Sequence, residues 1–189
     1  MSDEDGNSDD GREEYIYVLD YLPGGHSEDR VSDEPIIQGV GKKNFTLLEV
    51  VAREDADANI GEFVYVGSGD RDQVERVKKR LDYDELTEGA KKELEYGVKE
   101  IVEEEEDRFV DFFNDAGSVT IRMHQLDLLP GVGKTIRNSI LDERKYDPFE
   151  SFDDLEEKIS GLHNPKEILV ERIIEEIRDV DVKYKIFAR

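Results

Sequence analysis

The chain has 189 residues, of which 49 are acidic and 26 basic, so its formal net charge is −23. It contains no cysteine, which excludes disulfides and thiolate chemistry. No apolar run approaches the ~20 residues of a membrane-spanning helix, and the amino terminus is acidic, unlike a signal peptide. These features predict a soluble, cytoplasmic protein with one or two small domains.

The acidic excess is unevenly distributed along the chain. Residues 122–189 carry a net charge of only −3, so most of the excess lies before them. A surface this acidic, in a chain with no tryptophan and two methionines, resembles the surfaces of proteins from haloarchaea. In molar salt the screening length falls to roughly 3 Å, so distant carboxylates would barely repel a phosphate. The alternatives are a mimic of nucleic acid or a protein that binds basic partners.

The amino-terminal part of the chain predicts a disordered acidic tail followed by a small barrel. Residues 1–14 hold almost no apolar side chain, which favours disorder. Four aromatic or β-branched segments with turn residues between them predict short strands, at residues 15–22, 35–41, 45–52 and 61–67. Short strands at this spacing are typical of an OB-like β-barrel, which we place at residues 15–83 together with a flanking helix.

Five side chains of the predicted barrel are candidates for contact with nucleic acid. Tyr17, Phe45 and Tyr65 could stack on bases, and Lys42 and Lys43 could meet phosphates. The alternative for each ring is a place in the hydrophobic core.

Two helices are expected before the carboxyl-terminal part of the chain. Apolar residues at helical spacing predict one helix over residues 70–83. Its basic run, residues 78–80, lies either on a solvated face or at the rim of a binding groove. Residues 87–114 predict one long acidic helix, which forms most of a connecting segment at residues 84–118.

Residues 126–141 predict a helix, a tight glycine turn and a second helix. The spacing of residues 121–129 is helical, and Pro130 ends that helix. Gly131 and Gly133 can adopt backbone angles closed to other residues, and they add no side chain above the turn. The second helix would present free N–H groups and the positive end of its dipole, which favour a phosphate. This pattern is typical of a helix-hairpin-helix, which binds nucleic-acid backbones without reading bases.

Gly131 and Gly133 are the central candidates for backbone contact with one phosphate. Seven further candidates surround them: Arg122, His124, Val132, Lys134, Arg137, Arg144 and Lys145. The stretch 131–135 also matches the end of a nucleotide-binding P-loop, but that motif needs a glycine at position 128, where this chain has leucine. The other alternative is a hairpin that serves only for packing or protein docking.

The remaining residues predict a degenerate second copy of the hairpin. Residues 153–159 and 166–178 have helical spacing, with a turn between them. Gly161-Leu162-His163 stands where the first copy has glycine, an apolar residue and glycine, which leaves phosphate binding by this copy in doubt. We place the whole helical domain at residues 119–189. Its last alternating run, residues 183–187, predicts a terminal strand or an extended tail that packs back.

No catalytic constellation stands out. The three histidines, His26, His124 and His163, are far apart and lack metal-ligand spacing. Carboxylates are so abundant that pairing any two as acid and base would be arbitrary. We therefore expect a protein that is not an enzyme and holds no catalytic metal.

Three runs of sequence resemble an archaeal family, catalogued as domain of unknown function 655 and described as nucleotide-binding or RNA-binding proteins. The runs are residues 120–134, 140–145 and 148–154, and the similarity extends over residues 15–189. The resemblance implies an OB-like barrel combined with a helix-hairpin-helix region. It also implies that turn carbonyls could hold a monovalent cation, K⁺ or Na⁺.

The sequence thus predicts an α+β protein, a small OB-like β-barrel followed by a helix-hairpin-helix domain. We expect a non-catalytic nucleic-acid-binding protein, with RNA favoured over DNA because of the family description. One alternative is a scaffold that docks on a ribosomal, RNA-processing or transcription complex, where the acidic helix 87–114 would meet a basic protein. A second alternative is a DNA-binding maintenance protein.

Overall fold

The computed structural model describes residues 11–27, 33–179 and 181–189. The chain divides into two compact units, residues 1–81 and residues 82–189. The predicted disordered tail lies, up to residue 10, outside the described residues. Of the described residues that the prediction assigned to the tail, Glu13 is buried, and its carboxylate accepts hydrogen bonds from the backbone of the first unit.

The first unit is an antiparallel sheet of five strands that curls into a half-barrel. The strands lie in the order β4-β1-β2-β3-β5. Their bounds are β1 Tyr15–Leu22, β2 Ile36–Gly41, β3 Leu47–Ala52, β4 Phe63–Tyr65 and β5 Val74–Arg80. Four of the five strands fall within the segments that the sequence predicted.

The predicted helix at residues 70–83 is wrong, because β5 occupies that place and pairs with β3. Val50 and Ala52 of β3 pair with Val77 and Val74, so a spacing of two on β3 faces a spacing of three on β5. An irregularity in the ladder between Val51 and Ala52 accounts for the extra residue. A bulged strand therefore imitated the apolar spacing of a helix.

The second unit is mainly helical. Its α-helices are α1 Glu88–Glu104, α2 Glu106–Asp115, α3 Lys134–Glu143, α4 Phe152–Lys158 and α5 Pro165–Arg178. Two short strands, β6 Ser118–Thr120 and β7 Met123–His124, form a hairpin between α2 and α3. Two 3₁₀ turns complete the unit, at Tyr83–Glu85 and Gln125–Leu128.

The single long helix predicted over residues 87–114 is two helices, because the backbone leaves helical angles at Glu105 (φ −108°, ψ 36°). Five consecutive acidic residues, 103–107, surround this point. Acidic side chains oppose the dipole at the end of a helix and complement it at the start. The break places Glu106 and Asp107 in the first turn of α2, where they are favourable.

The first helix predicted for the hairpin, residues 121–129, is also wrong. Strand β7 and a 3₁₀ turn take its place. The backbone N–H of His124 donates to Asp127 (2.9 Å), and Nδ1 of His124 accepts the N–H of Leu126 (3.2 Å), so the turn begins only at residue 125. The spacing of Leu126 and Leu129 fits the three residues per turn of a 3₁₀ helix as well as it fits an α-helix.

The carboxyl-terminal segment is an extended tail that packs back, the second of the two predicted forms. Phe187 is buried against Phe109 and Phe112, with ring centroids 5.9 and 5.0 Å away.

No helix in the described part of the chain is long and apolar enough to cross a membrane.

Candidate nucleic-acid interface

The glycine turn leads directly into α3 and leaves open space in front of that helix. Gly131 has φ +75°, a left-handed conformation that favours glycine. Gly133 has φ −83°, which any residue adopts, so its contribution is the absence of a side chain. A Cβ added to Gly133 would meet no atom within 4 Å among the described residues. Val132 is buried between the glycines and anchors the turn, where its N–H donates to the carbonyl of Leu129 (3.2 Å).

The first turn of α3 keeps its N–H groups available. Gly133, the residue that precedes the helix, supplies no capping side chain. The N–H groups of Lys134, Thr135 and Ile136 have no acceptor among the described residues. The side chain of Lys134 is exposed and likewise has no partner in the described part of the chain.

Carboxylates are missing from this one helix start. Of the five α-helices in the described residues, α3 alone has no acidic residue in its first turn. The other four carry Glu88, Glu106 with Asp107, Asp153 with Asp154, and Glu167. In a chain of net charge −23, the positive end of the α3 dipole is therefore neither capped nor neutralised.

Arg137 holds α3 against the preceding 3₁₀ turn. Its Nη1 lies 2.9 and 2.8 Å from the two carboxylate oxygens of Asp127. Burial raises the pKa of Asp127, but the hydrogen bond from the His124 N–H and the guanidinium of Arg137 outweigh it and hold that pKa below its usual value. The guanidinium of Arg137 is therefore already paired with the carboxylate of Asp127. A phosphate would have to share that guanidinium with Asp127.

His124 lies beside two cations. Burial, followed by the positive charge of Arg144, lowers its pKa, and Arg137 adds to the effect. Because Nδ1 of His124 accepts a hydrogen bond, the ring stabilises the 3₁₀ turn in its neutral form. His124 thus has a local structural role whether or not it also meets a ligand.

The other predicted cations differ in how freely they could reach a ligand. Arg144 donates through Nη1 to the carbonyl of Phe113 (3.0 Å), which fixes the end of α3 beside the end of α2. Lys145 forms an exposed ion pair with Asp142 (3.1 Å). Arg122 lies exposed at the turn of the β6–β7 hairpin, and its guanidinium has no partner among the described residues.

The aromatic candidates of the half-barrel are mostly core residues. Phe45 is 1% exposed and Tyr17 6%, so for these two rings the alternative of a core position holds. Tyr65 is half-buried, its ring packs on Tyr15 (5.3 Å between centroids), and its hydroxyl accepts the N–H of Gly69 (3.1 Å).

The two lysines of the β2–β3 turn are half-buried and engaged. Nζ of Lys42 lies 4.8 Å from the ring centroid of Phe63. The backbone N–H of Lys43 donates to Glu13 (2.8 Å), whose carboxylate also accepts N–H groups of Asn44 and Thr46. In this turn the backbone donors that could meet an anion are already occupied by Glu13.

The turn before α5 differs from the glycine turn before α3. Gly161 has φ +86°, and a Cβ added there would lie 3.8 Å from Ile136 of α3, so this turn packs on α3. Asn164 has φ +50° and Pro165 begins α5. Pro165 has no N–H, and Glu167 lies in the first turn.

Three residues of this region are not among the candidates predicted from the sequence: Asp127, Ile121 and Tyr146. The spacing of His124 and Asp127 is that of a capping box, a signal that was available. Ile121 and Tyr146 are, among the described residues, the two most exposed large apolar side chains. Their exposure could not be read from the sequence, since apolar residues in such positions are more often buried.

Known proteins resemble this chain over nearly its whole length. A family model described as a protein of unknown function, DUF655, matches residues 12–189. An uncharacterised protein of Methanocaldococcus jannaschii is 43% identical over 178 residues, which cover 94% of this chain and 80% of that protein. The crystal structure of Af1531 from Archaeoglobus fulgidus, which is described by the same family model, is similar with a TM-score of 0.85 and 47% identity, over 94% of this chain and 100% of that one. These matches confirm the resemblance to the archaeal family.

Proposed function

Since the chain belongs to the DUF655 family, whose description names no activity, we propose a function from its geometry: it is a non-catalytic protein that binds the phosphate backbone of nucleic acid at the start of α3. The observation that carries this proposal is the open first turn of α3, which has free N–H groups, Lys134 and no carboxylate among the described residues. A phosphate there would accept N–H hydrogen bonds and meet both the helix dipole and the ammonium group.

In this proposal the 3₁₀ turn, the glycine turn and α3 act as a helix-hairpin-helix, and α4 with α5 forms its degenerate second copy. The half-barrel of the first unit is an OB-like domain. RNA is placed ahead of DNA because the resemblance found in the sequence implies nucleotide or RNA binding, and not because of the geometry of α3. The acidic surface belongs to a haloarchaeal, cytoplasmic protein, and carbonyl groups of the glycine turn hold K⁺ or Na⁺.

The test is fluorescence anisotropy with four labelled probes: single-stranded RNA, structured RNA, single-stranded DNA and duplex DNA. Each titration is repeated over a range of KCl concentrations, because phosphate contacts weaken steeply as salt rises. Binding that prefers RNA supports the proposal in full. Binding to duplex DNA alone moves the function to DNA maintenance, and binding to none of the probes overturns the proposal.

Two variants locate the contact. Gly133→Phe places a ring in the space in front of α3. A φ of −83° suits any residue, and an added Cβ meets no atom within 4 Å among the described residues. Lys134→Glu places a carboxylate at the positive end of the α3 dipole. Lys92→Glu on α1 is the matched control, an exposed lysine of the same unit with no partner among the described residues. We expect both site variants to lose roughly tenfold or more in affinity and the control to lose little.

A second candidate function, a docking scaffold for a basic protein, is favoured by one observation. Helices α1 and α5 border a groove of about 530 Å³ whose lining includes Val170 and Ile174. The same groove is lined by one cation, Arg178, and by five carboxylates: Glu95, Glu167, Glu171, Glu175 and Asp179. Gly133→Phe should abolish phosphate binding and spare a basic protein held in this groove. Nucleic-acid affinity that survives the change in a folded protein would mean that the start of α3 is not the phosphate site.

A further inference from the structure

The basic run at residues 78–80, which was expected either on a solvated face or at the rim of a binding groove, lies on β5. This strand is at one edge of the five-stranded sheet, and six of its seven residues are exposed. It carries four basic side chains and one carboxylate, that of Glu75, in a chain of net charge −23. β5 is therefore a local exception to the acidic composition of the chain.

The sign of this charge is informative because β5 is an edge strand. Charged side chains of either sign keep an edge strand from pairing with other molecules. Acidic residues outnumber basic ones by 49 to 26 in this chain, so protection of the edge alone would not select four cations in one strand. The positive charge of β5 therefore indicates a negatively charged partner.

An irregularity in the β3–β5 ladder brings three of these cations to one face of the sheet. Arg76 pairs with Val51, and Lys79 pairs with Glu49. Val51 and Glu49 are two residues apart on β3, so they and their partners share a face. The register of the ladder shifts at Lys78, as in a bulge. Lys78 reaches the same face, because its Nζ lies 3.3 Å from Oε1 of Glu49.

The carboxylate of Glu49, around which these cations lie, is 1% exposed. Its Oε2 lies 2.7 Å from Nε2 of His26 and accepts a hydrogen bond from Nε2 of Gln38 (3.2 Å). Burial raises the pKa of Glu49, but the hydrogen bonds with His26 and Gln38 outweigh burial and hold that pKa below its ordinary value. Glu49 is therefore a buried, ionised carboxylate beside the ammonium group of Lys78.

Stability alone does not account for this buried charge. Apolar residues in place of a buried ion pair are often neutral or stabilising in proteins. What Glu49 provides is a fixed position for its two neighbours, Lys78 and His26, whose side chains are still 30% and 31% exposed. A lysine that is already held in place loses less conformational entropy on binding a ligand than a free lysine does.

A row of cations along one strand fits a linear polyanion. Residues 76–79 extend over about 10 Å, and a nucleic-acid strand carries one phosphate per roughly 3.4 Å of helix axis, so the row can meet more than one phosphate. Arg76 forms an ion pair with Glu34 (2.8 Å) in which both side chains are partly exposed. Such a pair contributes little to stability, so a phosphate can take the place of the Glu34 carboxylate.

We propose that the face of β5 formed by Arg76, Lys78 and Lys79 is a second contact for the phosphate backbone of nucleic acid, with Lys78 positioned by the buried carboxylate of Glu49. The inference rests on the proposed function for the nature of the ligand. The contact itself belongs to the first unit and does not involve the start of α3. Phosphate contacts carry no base information, so this surface adds affinity without sequence preference.

The experiment is anisotropy of the full-length protein with a labelled single-stranded RNA, repeated over a range of KCl concentrations. The site variant combines Arg76→Ala with Lys79→Ala. The charge-matched control combines Arg80→Ala with Lys92→Ala. Arg80 is exposed, and its side chain forms no ion pair or hydrogen bond among the described residues. It is paired in the ladder with Leu48, so it lies on the other face of the sheet.

We expect the site variant to lose roughly tenfold in affinity for the RNA at a given KCl concentration. The slope of log affinity against log KCl concentration should fall by about 2, because two phosphate contacts are lost. The control should keep the slope of the parent protein. Equal slopes for the site variant, the control and the parent would overturn the inference and leave the contact at α3 standing.

The positioning role of Glu49 is tested by a double-mutant cycle with Lys78. Glu49→Gln should weaken RNA binding by roughly threefold in the parent protein and leave it unchanged when Lys78 is already alanine. Denaturant titration of the same variants measures the effect on folding separately. An equal loss of affinity in both backgrounds would mean that Glu49 only supports the fold, and would overturn its positioning role.

Three other outcomes separate this inference from the proposed function. RNA binding that is weakened by the loss of Arg76 and Lys79 but not by Gly133→Phe would support the contact at β5 and overturn the one at α3. A polyglutamate peptide of the same length that displaces the RNA as readily as unlabelled RNA does would overturn nucleic acid as the ligand of β5. Failure of the parent protein to bind the RNA would overturn both proposals.

Discussion

Helices α3 and α5 each follow a turn that contains glycine, yet their first turns offer an anion opposite conditions. α3 begins with Lys134 and has neither a capping side chain nor an acidic residue in its first turn. α5 begins with Pro165, which lacks an N–H, and carries Glu167. The two helix starts therefore differ in the groups that decide anion binding.

The rest of α5 makes buried contacts that support the carboxyl-terminal tail. Arg172 and Glu176 are buried within it, 6% and 0% exposed, and are joined by a hydrogen bond of 2.8 Å. The carboxylate of Glu176 also accepts the N–H groups of residues 186–188 in the carboxyl-terminal tail. α5 is a supporting element, and α3 is the element left open. Two similar turns thus lead into helices that differ in their place in the unit, one that supports the tail and one whose first turn stays open.

The largest effect is expected when the supporting helix is broken. Glu176→Ala removes the buried carboxylate that accepts from Nε of Arg172, which keeps only its exposed partner Glu175, and leaves the three N–H groups of the tail without that acceptor. We expect the free energy of unfolding to fall by about 3–5 kcal/mol, measured by denaturant titration. Glu175→Ala, an exposed neighbour, is the control and should change it by less than about 1 kcal/mol. A similar small change for both variants would mean that α5 does not depend on this buried carboxylate.

The ion pair between Asp127 and Arg137 of α3 gives a smaller effect on the unfolding free energy, and this effect depends on pH. Asp127 has a pKa below its ordinary value of 3.8, so its stabilising contribution is complete above that value and is lost as the pH falls through the lower pKa of the folded state. Asp127→Asn should cost about 1–2 kcal/mol near neutral pH and progressively less in acid. Denaturant titrations of both proteins over that range measure the difference. If the cost of Asp127→Asn grew as the pH fell, the lowered pKa of Asp127 would be contradicted.

A further effect, with opposite signs for binding and stability, is expected when α3 is made to resemble α5. Thr135→Glu adds an acidic residue to its exposed first turn. The carboxylate complements the helix dipole, so the unfolding free energy should rise by about 0.5 kcal/mol. It also competes with phosphate, so affinity for nucleic acid, measured by anisotropy, should fall by roughly tenfold. A variant that is stabilised and still binds fully would contradict the role of this turn.

The smallest effect is expected at the first turn of α5. Glu167 forms an ion pair with Lys99 in which both side chains are largely exposed. Glu167→Gln should change the unfolding free energy by no more than about 0.5 kcal/mol. It should not create a phosphate site, since Pro165 still lacks an N–H and the turn packs on Ile136. A gain in affinity, measured by anisotropy with single-stranded RNA, would show that the Glu167 carboxylate alone accounts for the difference in anion binding between the starts of α3 and α5.

The sequence predicted those parts of the fold whose signal is local. Strands β1 to β4, helix α5 and the glycine turn follow from apolar spacing and from Gly and Pro. The spacing of Val74 and Val77, three residues apart, predicts a helix, whereas β5 accommodates that spacing with a bulge, and a bulge depends on the partner strand. The helix predicted at residues 121–129 is replaced by strand β7 and a 3₁₀ turn, because the His124 N–H donates to Asp127 and the His124 ring accepts the N–H of Leu126, so the turn begins only at residue 125.

Within the candidate site, residue types were predictable but their availability was not. Lys134 and Arg137 have the same charge and lie one turn apart, and the sequence could not tell which is occupied by Asp127. That depends on the path of the chain before the turn. Exposure likewise decides between the rings of Phe45 and Tyr146, one in the core and one in solvent, and it follows only from the folded arrangement.

The most direct test of the central claim is an NMR titration of the ¹⁵N-labelled protein with a short single-stranded RNA. The backbone amides of Gly133, Lys134 and Thr135 should shift and saturate together, because their N–H groups become donors to a phosphate. The amides of Lys166 and Glu167 in α5 should not move. Shifts confined to α5, or shifts at neither helix while the RNA is bound, would contradict the assignment of α3 as the open end.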